Sequence, residues 1–154
     1  MKIYLLCIFL TLTGLCYGQA AMTFDEALAK GINIEKLDKE YKSGIHSDTS
    51  LAVFKNVNEY ISAYQSMLQE LGKHLQEKGF KWSKPTKCFN RIYFAENGEV
   101  DYFLFNFYQD EISIEQEEIF KNLLNDFIQE YRFPIREDEK FAQCSPVNYK
   151  PVNK

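Results

Sequence analysis

The chain has almost no histidine. His46 and His74 are its only imidazoles, and neither sits in an H-E-x-x-H or similar ligand pattern, which leaves little material for metal-assisted hydrolysis. His74 falls beside the apolar stripe of a strong helical segment, where a partly solvated helix histidine is the simpler reading. No G-x-S-x-G occurs, and no glycine-rich loop leads from a strand into a helix, so a nucleophile elbow and a phosphate cradle are both excluded. Basic charge is in deficit too: the formal net charge is −4, and no basic stripe of the kind that tracks nucleic acid is visible. Internal repeats, low-complexity tracts and long linkers are absent, which points to one domain. The acidic groups Glu117-Glu118 and Glu137-Asp138-Glu139 fall at a helix start and a charged turn, where dipole and solvation account for them. Asp101 is an acid on an otherwise apolar strand face, next to a turn and so expected at the exposed rim. The expectation is a non-enzyme with no catalytic residue, no metal site and no cofactor.

What is present begins with a leader. Met1-Lys2 is a short positive start, Ile3 to Leu15 is mostly apolar, and Cys16-Tyr17-Gly18-Gln19-Ala20 offers a peptidase site after Gly18 or after Ala20. The apolar stretch falls short of the ~20 residues a bilayer span needs. An uncleaved anchor, a buried strand and a lipoprotein modified at Cys16 are the alternatives, the last disfavoured by the leucine before that cysteine. Residues 1–20 are thus expected to be a secretory signal, and 21–154 a single periplasmic or secreted domain. Of four cysteines, Cys7 and Cys16 leave with the leader. Cys88 and Cys144 remain, and two cysteines in an exported chain are expected to pair. Such a structural disulfide would contribute roughly 3–5 kcal/mol less any strain.

Periodicity then divides the domain. Residues 21–50 read as an N-terminal helical segment, with Thr23 as a cap, Phe24, Ala27, Leu28, Ile34, Leu37 and Tyr41 at helical spacing, and Gly31 and Gly44 as breaks. Cap-formers Ser47 to Ser50 introduce a long helix over 51–79, whose stripe is Phe54, Val57, Ile61, Tyr64, Leu68, Leu71 and Leu75, ending at Gly79. The period changes to two in Cys88–Ala95 and Val100–Tyr108. Asn97-Gly98 between them predicts a two-residue type I′ hairpin. That turn pairs Phe94 with Asp101, Ile92 with Phe103, Asn90 with Phe105 and Cys88 with Phe107, and turns the phenylalanine row toward the helices. A one-residue slip would exchange the two faces. The other face carries Phe89, Arg91, Tyr93, Tyr102, Leu104 and Asn106. Ser113 with Gln116 opens a last helix, whose apolar face is Ile119, Phe120, Leu123, Leu124, Phe127, Ile128 and Tyr131, and Phe133-Pro134 stops it. A final strand follows at Phe141–Cys144 with Val147–Tyr149, where Pro146 and Pro151 suit an edge or an exit. The fold class is α+β, a two-layer sandwich: N-terminal helices, then a β-β-α-β unit over 88–154 whose small antiparallel sheet packs on two amphipathic helices.

The second half resembles the TonB C-terminal domain and its envelope relatives. The residues that carry this are Arg91-Ile92-Tyr93-Phe94, Asn97-Gly98-Glu99-Val100, the helix from Glu115 to Tyr131, Phe133-Pro134 and Gln143-Cys144-Ser145-Pro146-Val147. The resemblance implies binding of a protein partner in the cell envelope, since members of that family contact outer-membrane transporters by strand addition. The chain departs from the full energy transducers in its cleavable-looking leader and in lacking a Pro/Lys-rich spacer. Its helix over 51–79 is also longer than that domain has before its hairpin. Contact is expected through a free sheet edge or through the outer face, where Arg91, Tyr93, Tyr102 and Leu104 would form an aromatic-plus-arginine patch if open. The competing arrangement has segment 21–45 covering that face, because its apolar periodicity must pack somewhere. A small hydrophobic-ligand or lipid binder, using space between Phe103, Phe105, Phe107 and the helices, is the alternative function.

Overall fold

The structure is a computed structural model, and it describes residues 18–151. Most of the expected leader, residues 1–17, lies outside the described residues. The described chain forms an α+β two-layer sandwich around a five-stranded mixed sheet. The strands are β1 (Ala20–Thr23), β2 (Lys42–Ser43), β3 (Thr86–Phe94), β4 (Val100–Phe107) and β5 (Phe141–Tyr149), in the order β1-β4-β3-β5-β2. The three long strands are antiparallel neighbours, as the sequence predicts. The two short ones are additions: β1 runs parallel to β4, and β2 parallel to β5. Of the helices, α1 (Phe24–Ala29) and α2 (Ile34–Glu40) are short, and α3 (Val57–Glu77) and α4 (Ile114–Glu130) are long.

Helix starts follow local capping chemistry. Thr23 and Glu26 form a reciprocal capping box on α1, and Ser113 Oγ accepts from the Gln116 N–H to open α4, both where the sequence predicts them. The start of α3 differs. Asp48 and its neighbours cap only a single 3-10 turn at Thr49–Leu51, and Asn56 is the cap of α3. Residues between them are extended, and Val53 and Phe54 donate to the carbonyls of Ser43 and Gly44 beside β2. Phe54 therefore reaches the core from an extended segment. The buried face of α3 is Tyr60, Ala63, Met67, Leu71 and Leu75, while Val57 and Ile61 are 41% and 40% exposed, so the expected stripe is correct only in its second half.

The hairpin decides which residues those helices meet. Its loop is one residue longer than a type I′ turn: Gly98 N–H donates to the Ala95 carbonyl and Ala95 N–H to the Glu99 carbonyl, each at 2.9 Å. Gly98 takes φ +81°, the left-handed conformation that suits glycine. Left alone, the longer loop would exchange the faces of β4. A β-bulge undoes the shift, for Phe94 pairs with Val100 but Tyr93 with Tyr102, leaving Asp101 as the extra residue. The expected Phe94–Asp101 pair is thus replaced, whereas Ile92–Phe103, Asn90–Phe105 and Cys88–Phe107 form as the sequence predicts.

The inner face of the sheet meets α3 and α4 in one core. Phe120 is its hub, with ring centroids 5.2 Å from both Phe105 and Phe107 and 5.7 Å from both Trp82 and Tyr149. Phe54, Tyr60, Phe94, Phe133 and Phe141 form a second aromatic group at the other end. The exit of α4 is tied to the hairpin by Phe133 N–H donating to the Gly98 carbonyl at 2.8 Å. Ile119 lies 45% exposed, off the buried stripe of Phe120, Leu124, Phe127 and Ile128.

Two glycines give opposite expectations. A Cβ on Gly44 would run into the ring of Tyr60, which is 1% exposed and held by its hydroxyl on Gln143 Oε1 at 2.8 Å. Gly72, inside α3, has no atom within 4 Å of its notional Cβ. Gly44→Ala should lower stability by about 1–3 kcal/mol. Gly72→Ala should raise it by about 0.5–1 kcal/mol, both read from urea unfolding midpoints.

Candidate functional site

The outer face of the sheet is covered. Tyr93 and Leu104 are fully buried against Met22, Ala27 and Tyr41, with Phe24, Ile32, Ile34 and Leu37 packed around them. Arg91 and Tyr102 are half-buried at the margin of this second cluster. The four residues therefore do not make an open contact patch: the apolar positions of segment 21–45 need burial, and this face supplies it. Polar groups fix the cover in place. Asp38 on α2 accepts from Tyr93 Oη at 2.8 Å through one oxygen and pairs with Arg91 at 3.1 Å through the other. Arg91 Nε in turn donates to Cys144 Sγ at 3.1 Å.

That contact settles the cysteines. Cys144 pairs across the ladder with Arg91 and Cys88 with Val147, so one side chain projects from the outer face and the other from the inner. Both are free; Cys144 is exposed and Cys88 is buried, its thiol pushed up to about 12 by burial. The expected disulfide does not form, because residues separated by an odd number of ladder positions lie on opposite sides of a pleated sheet.

A cleft of about 550 Å³ lies between the α1–α2 connection and the end of the hairpin. Asp101, the extra residue of the bulge, has its carboxylate outside the core in this cleft, where Tyr41 Oη donates to it at 2.6 Å. Lys140 lies 5.1 Å from the Tyr41 ring centroid and bonds Glu40 at 2.6 Å. Lys30 and Lys36 also line the cleft. Burial raises the Asp101 carboxyl above its ordinary range, with the Tyr41 hydrogen bond and Lys140 pulling the other way. Burial also raises the Tyr41 phenol, reinforced by Asp101. These groups can hydrogen-bond and ion-pair with a polar ligand. The rim position expected for Asp101 is half right: it stands beside the turn, yet partly enclosed.

No family model, curated protein or solved structure matches this chain. Among the described residues no group of three or more His, Cys, Asp and Glu side chains could hold a metal ion, and no helix is long and apolar enough to cross a membrane. The space that a hydrophobic ligand would use beneath Phe103, Phe105 and Phe107 is filled by Phe120, Leu124 and Trp82.

The remaining feature is the edge of β5. Lys42 and Gly44 donate to the carbonyls of Lys140 and Ala142, so the even-numbered residues of β5 turn their backbone groups away from β3. β2 stops after pairing Ala142. Beyond it Cys144, Pro146 and Asn148 are exposed, and among the described residues no strand pairs with them on that side. Pro146, which has no N–H to donate, sits at an outward position, where the ladder to β3 loses nothing. The proline was the legible signal for this edge. Asp38, which anchors the outer cover, carried no such signal, and Tyr41 was legible only as part of an apolar spacing.

Two outcomes test this geometry. A raised folded-state pKa means that ionised Asp101 costs stability, a cost present above the folded pKa and gone below the unfolded one. Asp101→Asn keeps an acceptor for Tyr41, so it should unfold at higher urea than wild type at neutral pH, with the gap closing toward about pH 3. Under native conditions iodoacetamide should label Cys144 and leave Cys88 unmodified until the protein is unfolded, as peptide mapping by mass would show.

Proposed function

We propose that this chain is an exported, non-catalytic protein-interaction module that takes an extended segment of an envelope protein as an added strand on β5. The observation that carries the reading is the edge beyond β2, where no described strand pairs with Cys144, Pro146 or Asn148 and the Cys144 carbonyl accepts only a side-chain hydrogen bond, from Gln143 Nε2 at 3.1 Å. Natural sheets blunt or cover such edges, because unpaired backbone groups template further pairing. The other edge of this sheet is covered: Asn125 on α4 accepts from Ala21 N–H at 2.8 Å and donates to the Ala21 carbonyl at 2.9 Å. β2 is likewise flanked by the extended residues after the 3-10 turn. Leaving one stretch open while closing the others suits a recognition edge, with main-chain hydrogen bonds for affinity and flanking side chains for selection. The resemblance of the second half to the TonB C-terminal domain agrees with this mode of contact. Energy transduction is not part of the proposal, since fold and function separate readily.

Main-chain recognition has a specific signature. A photo-reactive residue in place of Lys150, just past the strand, should capture one discrete partner from cell-envelope extracts. Asn148→Pro, which removes an outward N–H, should reduce capture about tenfold, whereas Asn148→Ser, which keeps it, should not. Equal capture by all three proteins would exclude strand addition at this edge.

A further inference from the structure

We infer that the leader is removed at the Gly18–Gln19 bond and that the N-terminus so created is a working part of the fold. The inference rests on the proposed export and names its processing site. Two bonds fit the small-residue zone, after Gly18 and after Ala20, and the structure distinguishes them by what each leaves behind. In the reaction an envelope peptidase adds water across the bond, the carboxylate leaving with the leader and the amine remaining on the mature chain.

Cleavage after Ala20 would place a charged ammonium on Ala21. That residue is 4% exposed, it belongs to the main core, and its N–H donates to Asn125 Oδ1 inside β1. A terminal ammonium there would be desolvated with a single neutral acceptor, an unfavourable place for a charge. The same cut would discard the Ala20–Tyr102 pair of β1 and every contact of Gln19.

Cleavage after Gly18 keeps all of these. Gln19 Nε2 donates to the Ile128 carbonyl at 2.9 Å, and the Gln19 carbonyl accepts from Gln129 Nε2 at 3.3 Å. Ile128 lies in the last turn of α4, where carbonyls lack intrahelical partners, so Gln19 acts as a cap supplied from a distant part of the chain. The new ammonium would stand on a half-buried residue beside the negative end of a 17-residue helix, which favours positive charge.

The test is the intact mass and N-terminal peptide of the protein recovered from its native cell, fractionated into cytoplasm, envelope and medium. The expected result is an exported chain starting at Gln19 as free glutamine; the same start found as the lactam, which has lost Nε2 as ammonia and no longer carries an ammonium, would keep the cleavage bond and overturn the capping role. An exported chain starting at Ala21, or at a lipid-modified Cys16, would overturn the inference and leave export standing. A chain retained inside the cell with the leader attached would overturn both. A second measurement concerns the cap itself. Gln19→Glu turns a donor into a carboxylate facing the helix end, and its melting temperature should fall by about 2–5 °C. An unchanged melting temperature would remove the proposed role of the new terminus.

Discussion

The structure turns on the side-chain parity of one hairpin. A strand exposes alternate residues to opposite faces, so a single inserted residue reverses everything beyond it. Here two insertions act in the same hairpin. Glu96 joins Asn97 and Gly98 to lengthen the loop by one residue, and the bulge at Asp101 restores the register at Tyr93 and Tyr102. The result is that Phe103, Phe105 and Phe107 face α3 and α4, while Tyr93 and Leu104 face α1 and α2. The longer loop, by setting Val100 opposite Phe94, also takes Asp101 out of the core, where an unpaired carboxylate would be costly, and leaves it to Tyr41 in the cleft.

Closure of the sheet follows from the same frame. Once β4 has its phase, β1 lies parallel along it, and Asn125 satisfies the outer backbone groups of Ala21. On the opposite side β5 continues β3 for nine residues but receives only two from β2. The difference in length is what opens the edge at Cys144 to Asn148. The outer cover and the open edge are also linked chemically, because Arg91 joins Asp38 of α2 to the sulfur of Cys144. A segment docking on β5 would lie beside that guanidinium.

Local signals in the sequence were reliable where one residue determines one contact. Thr23, Ser113 and the Phe133-Pro134 stop bound their helices as expected, and Pro146 fell in the part of β5 that runs on past β2. Signals failed where distant segments compete. Ser47 to Ser50 look like the start of a long helix, but the chain from Ala52 to Phe54 pairs beside β2, so α3 begins at Val57. β1 is too short for alternation to show, and its partner β4 lies some eighty residues away in the chain. The pairing of Cys88 with Cys144 was plausible by compartment and count, yet ladder parity puts them on opposite faces. The apolar spacing of residues 21–45 did imply burial. Tyr41 belonged to that spacing, but its bond to Asp101, and Asp38, which holds Tyr93 and Arg91, had no pattern to betray them.

The most direct test of the hairpin is the pattern of close Hα–Hα pairs across β3 and β4 in solution. At non-hydrogen-bonded positions of an antiparallel ladder opposite Cα atoms approach to about 4.5 Å, and these protons give strong NMR cross-peaks. Cross-peaks of Ile92 with Phe103 and of Asn90 with Phe105 are the expected result. Cross-peaks of Ile92 with Tyr102 and of Asn90 with Leu104 would mean that the bulge does not compensate the loop, and the faces assigned here would be reversed.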